Sequence, residues 1–165
     1  LIQRFNKSMD LVQSYHKNHT IVSSTPLGYG MQDPSNVVKD KEAISLVIAN
    51  KHEDNSLDFN YNTARLQRII ALCKKYDVAV VLLEMPVYPA YYNLLDTKKK
   101  EKIKSVLGEL SSEEDTVFYL DLTIDPLFEK QDLRDADHLT NQGAKKCSEY
   151  LNTYLKDVVH FKIGK

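Results

Sequence analysis

Residues 78–83, Val78-Ala79-Val80-Val81-Leu82-Leu83, run apolar without alternation, and they follow a segment in which Leu66, Ile69, Ile70 and Cys73 recur at helical spacing. A continuous apolar run flanked by helices is what a buried parallel strand requires, because both faces of such a sheet are covered. Tyr76-Asp77 breaks the helix before the strand, and Pro86 and Pro89 close the strand. Downstream, Ile103, Val106, Leu107 and Leu110 predict a helix over 97–110, Thr116 to Leu120 reads as a second strand, and a last helix is expected over 140–155. Upstream, Leu1, Phe5, Met9 and Val12 share one helical face that ends near Lys17-Asn18. From His19 to Pro34 the chain reads as irregular, with room for a short strand at 20–23. Asp33-Pro34-Ser35 looks like a helix start, with Val37, Val38, Ile44, Val47 and Ile48 as its apolar side, and Lys51 to Asp58 reads as a linker. Helix, strand, helix, strand, loop, helix is the order of an α/β domain with right-handed crossovers.

The chain has 165 residues, 42% hydrophobic and 27% charged, enough for one domain over 1–165 with its own core and cramped for two. Twenty-two basic residues against twenty-three acidic ones leave a formal charge of −1, so no basic field exists to hold nucleic acid or an anionic membrane. No apolar run approaches the roughly 20 residues a membrane helix needs. The opening Leu1-Ile2-Gln3-Arg4-Phe5 is neither a signal peptide nor a starting methionine, and a fragment is expected. Cys73 and Cys147 form no C-x-x-C pair and no metal-ligand spacing, so buried free thiols are expected. Lys98 to Lys104 is a charge run on a helix, read as its solvated face.

In open α/β sheets ligands bind beyond the carboxyl ends of the strands, which directs attention to the segments after Leu83 and Leu120. The second contains Leu133-Arg134-Asp135-Ala136-Asp137-His138-Leu139-Thr140. Three residues separate Asp135 from His138, a spacing that lets a carboxylate reach the Nδ1 proton and leaves Nε2 outward as a general base. Asp137 ranks below Asp135 because neighbouring side chains diverge, and Thr140 is placed to cap the following helix. After the first strand, Tyr88, Tyr91 and Tyr92 fit two readings equally: a platform for a sugar or acyl chain, or the packing of a short helix on the sheet. Gly28-Tyr29-Gly30 reads either as a substrate loop, with Tyr29 a binding residue, or as a plain turn. Ser23 and Ser24 lack the tight glycine-rich turn that exposes a nucleophile. His16 and His19 have no third ligand nearby, so they read as a surface pair and no metal is assigned. His52 and His160 lie in polar or terminal stretches and are expected in solvent.

Asp135-Ala136-Asp137-His138-Leu139, followed by Asn141 and Gly143-Ala144, resembles the last block of the SGNH/GDSL hydrolase superfamily, in which an Asp-x-x-His pair completes a Ser-His-Asp triad. Leu66 to Lys75, the strand at 78–83 and Pro86-Val87-Tyr88-Pro89 are similar to the helix, strand and loop of bacterial SGNH-like proteins that acylate or deacylate envelope polysaccharides. The resemblance covers about Asn60 to Leu155, with a weaker likeness at Gly28-Tyr29-Gly30. It implies a three-layer α/β/α fold with a mainly parallel sheet, of which the first strand is missing. The activity it implies is ester hydrolysis or O-acyl transfer on a small-molecule or carbohydrate ester at the cell envelope, without metal or organic cofactor. His138 and Asp135 are then the catalytic pair, and Tyr88, Tyr91 and Tyr29 the substrate-binding candidates. The sequence departs from the family in holding no Gly-Asp-Ser or Gly-x-Ser, and it has no convincing oxyanion block. Either the serine lies upstream of Leu1, or the chain is a noncatalytic relative that kept the fold as a binding or scaffold domain.

Overall fold

A computed structural model describes residues 2–18, 37–53 and 59–159. The chain divides into two compact units, Leu1–Asp33 and Pro34–Lys165. Of the first unit, the described part is helix α1 (Ile2–Asn18), on which Met9, Val12 and Tyr15 are exposed. The expected irregular segment and short strand before Pro34 lie outside the described residues.

The second unit is mixed α/β and built around a two-stranded parallel sheet. Its elements are α2 (Lys41–His52), α3 (Phe59–Lys75), β1 (Val80–Glu84), α4 (Pro89–Leu94), α5 (Thr97–Glu113), β2 (Val117–Asp121) and α6 (Asn141–Tyr154). The strands pair in the register Val80↔Val117, Leu82↔Tyr119 and Glu84↔Asp121. Side chains alternate across a strand, so Val80, Leu82, Val117 and Tyr119 share one face. That face packs against Leu66 and Ile70 of α3 and Val106, Leu107 and Leu110 of α5. Leu83 and Leu120, on the opposite face, pack against Leu122, Leu133, Leu139 and, from α6, Ala144 and Cys147. Both faces thus have packing partners, but only Leu82 of β1 is buried: Val80, Val81, Leu83 and Glu84 are half-buried, and Val78 of the apolar run is exposed.

Three sequence expectations shift at their boundaries, each for a local reason. Strand β1 begins at Val80 because Val78 is used to end α3: its N–H donates to the Cys73 carbonyl at 2.9 Å and that of Asp77 to Lys74 at 3.1 Å. These are the paired bonds of a Schellman turn, with Asp77 in the left-handed region at φ 55°. Helix α2 starts at Lys41, leaving Val37 and Val38 before it, because the Asp40 side chain accepts from the Ala43 N–H at 3.0 Å and sets the first turn there. Its buried residues are Lys41, Ser45 and Ala49, while Val47 is exposed. The expected linker at 51–58 therefore begins later, since Lys51 and His52 are the last turn of α2.

Both cysteines are free, Cys147 buried and Cys73 partly so. No helix among the described residues is long and apolar enough to cross a membrane.

Candidate active site

The chain between β2 and α6 is irregular apart from one 3-10 turn, Lys130–Asp132, yet it is held at many points. Leu122 is fully buried under the sheet. Leu133 and Leu139 form an antiparallel bridge, and the Arg134 N–H donates to the His138 carbonyl at 2.8 Å, closing a tight loop over residues 134–138. Two neighbours dock on that loop through backbone bonds: Val38 N–H to the Arg134 carbonyl and Tyr88 N–H to the Ala136 carbonyl, both 2.8 Å. The adjoining Val87 N–H donates to the Thr123 carbonyl at 3.1 Å, so the segment after β1 is tied to both halves of the segment after β2.

The far side of the loop is fixed to α6. Thr140 caps this helix, its hydroxyl accepting from the Gly143 N–H at 3.1 Å, while its own N–H donates to the Asp132 carbonyl at 2.8 Å. Gly143 lies against that same carbonyl so closely that a Cβ would stand 2.1 Å from the oxygen. The buried Asp132 carboxylate accepts from the Glu129 N–H at 2.9 Å and from the Lys146 ammonium at 2.8 Å. Glycine at 143 is thus a requirement of contact between the first turn of α6 and the loop.

Within the loop, Asp135 Oδ1 accepts from the His138 ring Nδ1 at 3.0 Å, from the His138 N–H at 2.9 Å and from the Asp137 N–H at 3.2 Å. Its Oδ2 accepts from Arg134 Nε at 3.1 Å and Nη2 at 3.0 Å. An ionised carboxylate only accepts, so the Nδ1 proton belongs to the histidine and Nε2 carries the free lone pair. Burial raises the Asp135 pKa, but the donors from His138, Asp137 and Arg134 outweigh it and hold the carboxyl below its ordinary range. The carboxylate is 12% exposed and the imidazole 54%, so an anchored carboxylate lies beneath an accessible ring.

Asp137, expected to diverge from the ring, instead reaches it. Its Oδ1 is 2.9 Å from His138 Nδ1, yet that oxygen is buried and makes no hydrogen bond among the described residues. The Nδ1 hydrogen bond goes to Asp135. Asp137 Oδ2 lies 3.7 Å from Nδ1 of His52, and that nitrogen is 3.0 Å from the Tyr91 hydroxyl. His52 is therefore a partner of this loop as well as a partly exposed residue. Nothing in the sequence signalled it, because the pairing joins the end of α2 to residues brought near only by the fold.

The tyrosines occupy three different settings. Tyr91 is buried with Ala49 and Ala136, and burial, followed by the charges of Asp137 and Glu53, pushes its phenol upward. Tyr88 is partly buried, donates its hydroxyl to Glu42 and has Lys130 over its ring at 5.6 Å. The Glu42 bond pushes the Tyr88 phenol up. Tyr92 lines a cavity of about 450 Å³ with Pro89, Asn93, Lys104, Asp121 and Thr123, beyond the carboxyl end of β2. Tyr29, with Gly28, Gly30, Ser23, Ser24, His19 and His160, lies outside the described residues. His16 is exposed on α1.

Asp135, Asp137 and His138 each place one potential ligand atom within 4.8 Å of the others. Asp135 is already committed to five donors, and the Arg134 guanidinium against it opposes a second cation, so no metal is assigned here.

No protein-family model, curated protein or solved structure matches this chain.

Proposed function

We propose that this chain is the acid–base part of an SGNH-type ester hydrolase or O-acyltransferase, acting on a small-molecule or carbohydrate acyl ester of the cell envelope. The observation that carries the reading is the His138 Nδ1 to Asp135 hydrogen bond, made by a carboxylate that four further donors hold in place. Packing supports a three-layer α/β/α arrangement of the SGNH kind, since α3 and α5 cover one sheet face and α6 contacts the other. In this mechanism a serine supplied upstream of Leu1 attacks the ester carbonyl while His138 Nε2 takes its proton. The tetrahedral adduct collapses, the C–O bond to the leaving alcohol breaks, and His138 returns the proton to that alcohol. Water or a sugar hydroxyl then resolves the acyl-enzyme by the same exchange. Asp135 fixes the tautomer and stabilises the imidazolium.

A noncatalytic binding or scaffold domain is the second reading, favoured by the absence of Gly-Asp-Ser from the sequence. Fluorophosphonate labelling of the gene product that carries this chain, with mass mapping of the modified residue, separates the two. Labelling of a serine upstream of Leu1 is the expected result, and His138→Ala should lower hydrolysis of acetyl esters by about 10²–10⁴-fold. Absence of labelling in folded protein, or full activity in His138→Ala, overturns the assignment.

A further inference from the structure

Asp137 has no part in the mechanism above, yet its Oδ1 is the one buried side-chain polar atom without a hydrogen-bond partner among the described residues. A buried carboxylate oxygen without a donor is costly, and one found in a folded protein calls for a reason. Its surroundings supply one. The oxygen stands 2.9 Å from His138 Nδ1, as near as Asp135 Oδ1 at 3.0 Å, but the single Nδ1 proton is given to Asp135.

The contact between Asp137 and the ring is consequently one of charge. Against a neutral imidazole it contributes little. Once Nε2 accepts a proton the ring is a cation, and the same separation becomes a close ion pair made by a carboxylate only 16% exposed. An interaction that strengthens only as the proton arrives favours the protonated stage over the resting one.

The groups facing this carboxylate are few. From α2 comes His52, whose Nδ1 is 3.7 Å from Asp137 Oδ2, with Glu53 beside it engaged by Lys99. From α4 comes Tyr91, hydrogen-bonded to His52 and set edge-on to its ring at 6.0 Å between centroids. From the loop itself come His138 and Asp135, the latter paired with Arg134.

We propose that Asp137 is a positioning residue for the acid–base step, a second carboxylate set between His52 and His138 whose charge stabilises the imidazolium form of His138. The inference rests on reading Asp135 and His138 as the acid–base pair, and it assigns the inner positions of the Asp-x-x-His block a chemical role of their own.

The test follows the ring-carbon NMR signals of His138 and His52 in the 165-residue chain through pH, which requires neither turnover nor a nucleophile. Asp137→Asn keeps the shape and removes the charge. It should move the His138 half-change point downward, the direction that loss of a nearby negative charge gives. The His52 curve in the same spectra separates the two titrations. An unmoved His138 curve in a folded Asp137→Asn chain overturns the proposal. Should that variant not fold, the parent decides: the Asp137 carboxyl-carbon signal should step at the pH where His138 titrates, and a flat signal there overturns it. A shift observed in a chain whose gene product lacks esterase activity would defeat the catalytic reading while leaving the charge pairing established.

Discussion

The α3–β1–α5–β2 core and the segment between β2 and α6 both contribute buried residues, but their side chains are held in different ways. In the first, the side chains of Ile70, Leu82, Leu110 and Val117 meet through apolar contact, and directed bonds are confined to the regular β1–β2 ladder and the helices. In the second, Leu122 and Leu133 are as deeply buried, yet the path of the chain is set by Asp132, Asp135 and backbone bonds to Val38, Tyr88 and Thr140. The comparison teaches that the site's geometry depends on directed bonds more than on packing. A hydrogen bond has a direction, and apolar contact does not aim.

The largest effect that sharpens this contrast is expected from Leu82→Ala in the sheet core. Removing that side chain should cost about 2–5 kcal/mol in urea unfolding, while the amide signals of residues 133–139 keep their native positions until the whole unit unfolds. Movement of those signals in the folded variant would show that packing aims the loop after all. Gly143→Ala acts at the seam instead. A methyl placed 2.1 Å from the Asp132 carbonyl must displace α6 or the loop, at an expected cost of about 1–3 kcal/mol. Here the signals of Asp132, Thr140 and His138 should shift even where stability is retained, and an unchanged spectrum would count against the seam.

The smallest effect is the dependence on acid. Asp135 has its folded pKa depressed by its donors, so its contribution is present above the unfolded value of about 3.9 and is lost as pH falls through the folded one. Urea midpoints of the parent and Asp135→Asn should differ most near neutrality and converge below about pH 4. A gap that persists in acid would mean that the carboxylate's charge contributes nothing. Leu82→Ala should show no such convergence, because no titrating group is removed.

The same division explains what could be read from sequence. Helices α3 and α5 were legible because apolar residues recur at helical spacing, and Leu66, Ile70, Leu107 and Leu110 do pack on the sheet, although Ile69 and Ile103 of the same stripes are exposed. Their ends were less legible where a cap decides: Asp40 and the Asp77 turn act through single hydrogen bonds that no pattern of hydrophobicity records. Asp135 and His138 were legible because three residues of chain suffice to join them. The roles of His52 and Tyr91 were not, since their hydrogen bond spans 39 residues and exists only when α2 and α4 are in place. For Asp137 the rule that neighbours diverge failed because the loop turns sharply between Asp135 and His138, bringing both carboxylates to one nitrogen.

Ala136 offers a final consequence. It is fully buried among Ala49 and Tyr91, and its carbonyl receives the Tyr88 N–H, so a larger side chain there would have to displace packed neighbours. The bare spacing of an aspartate and a histidine is therefore too permissive a signature for this loop. A stricter vocabulary would specify a small residue after the first aspartate and a glycine eight positions beyond it, and would leave Tyr88, which docks through its main chain, free to change its name.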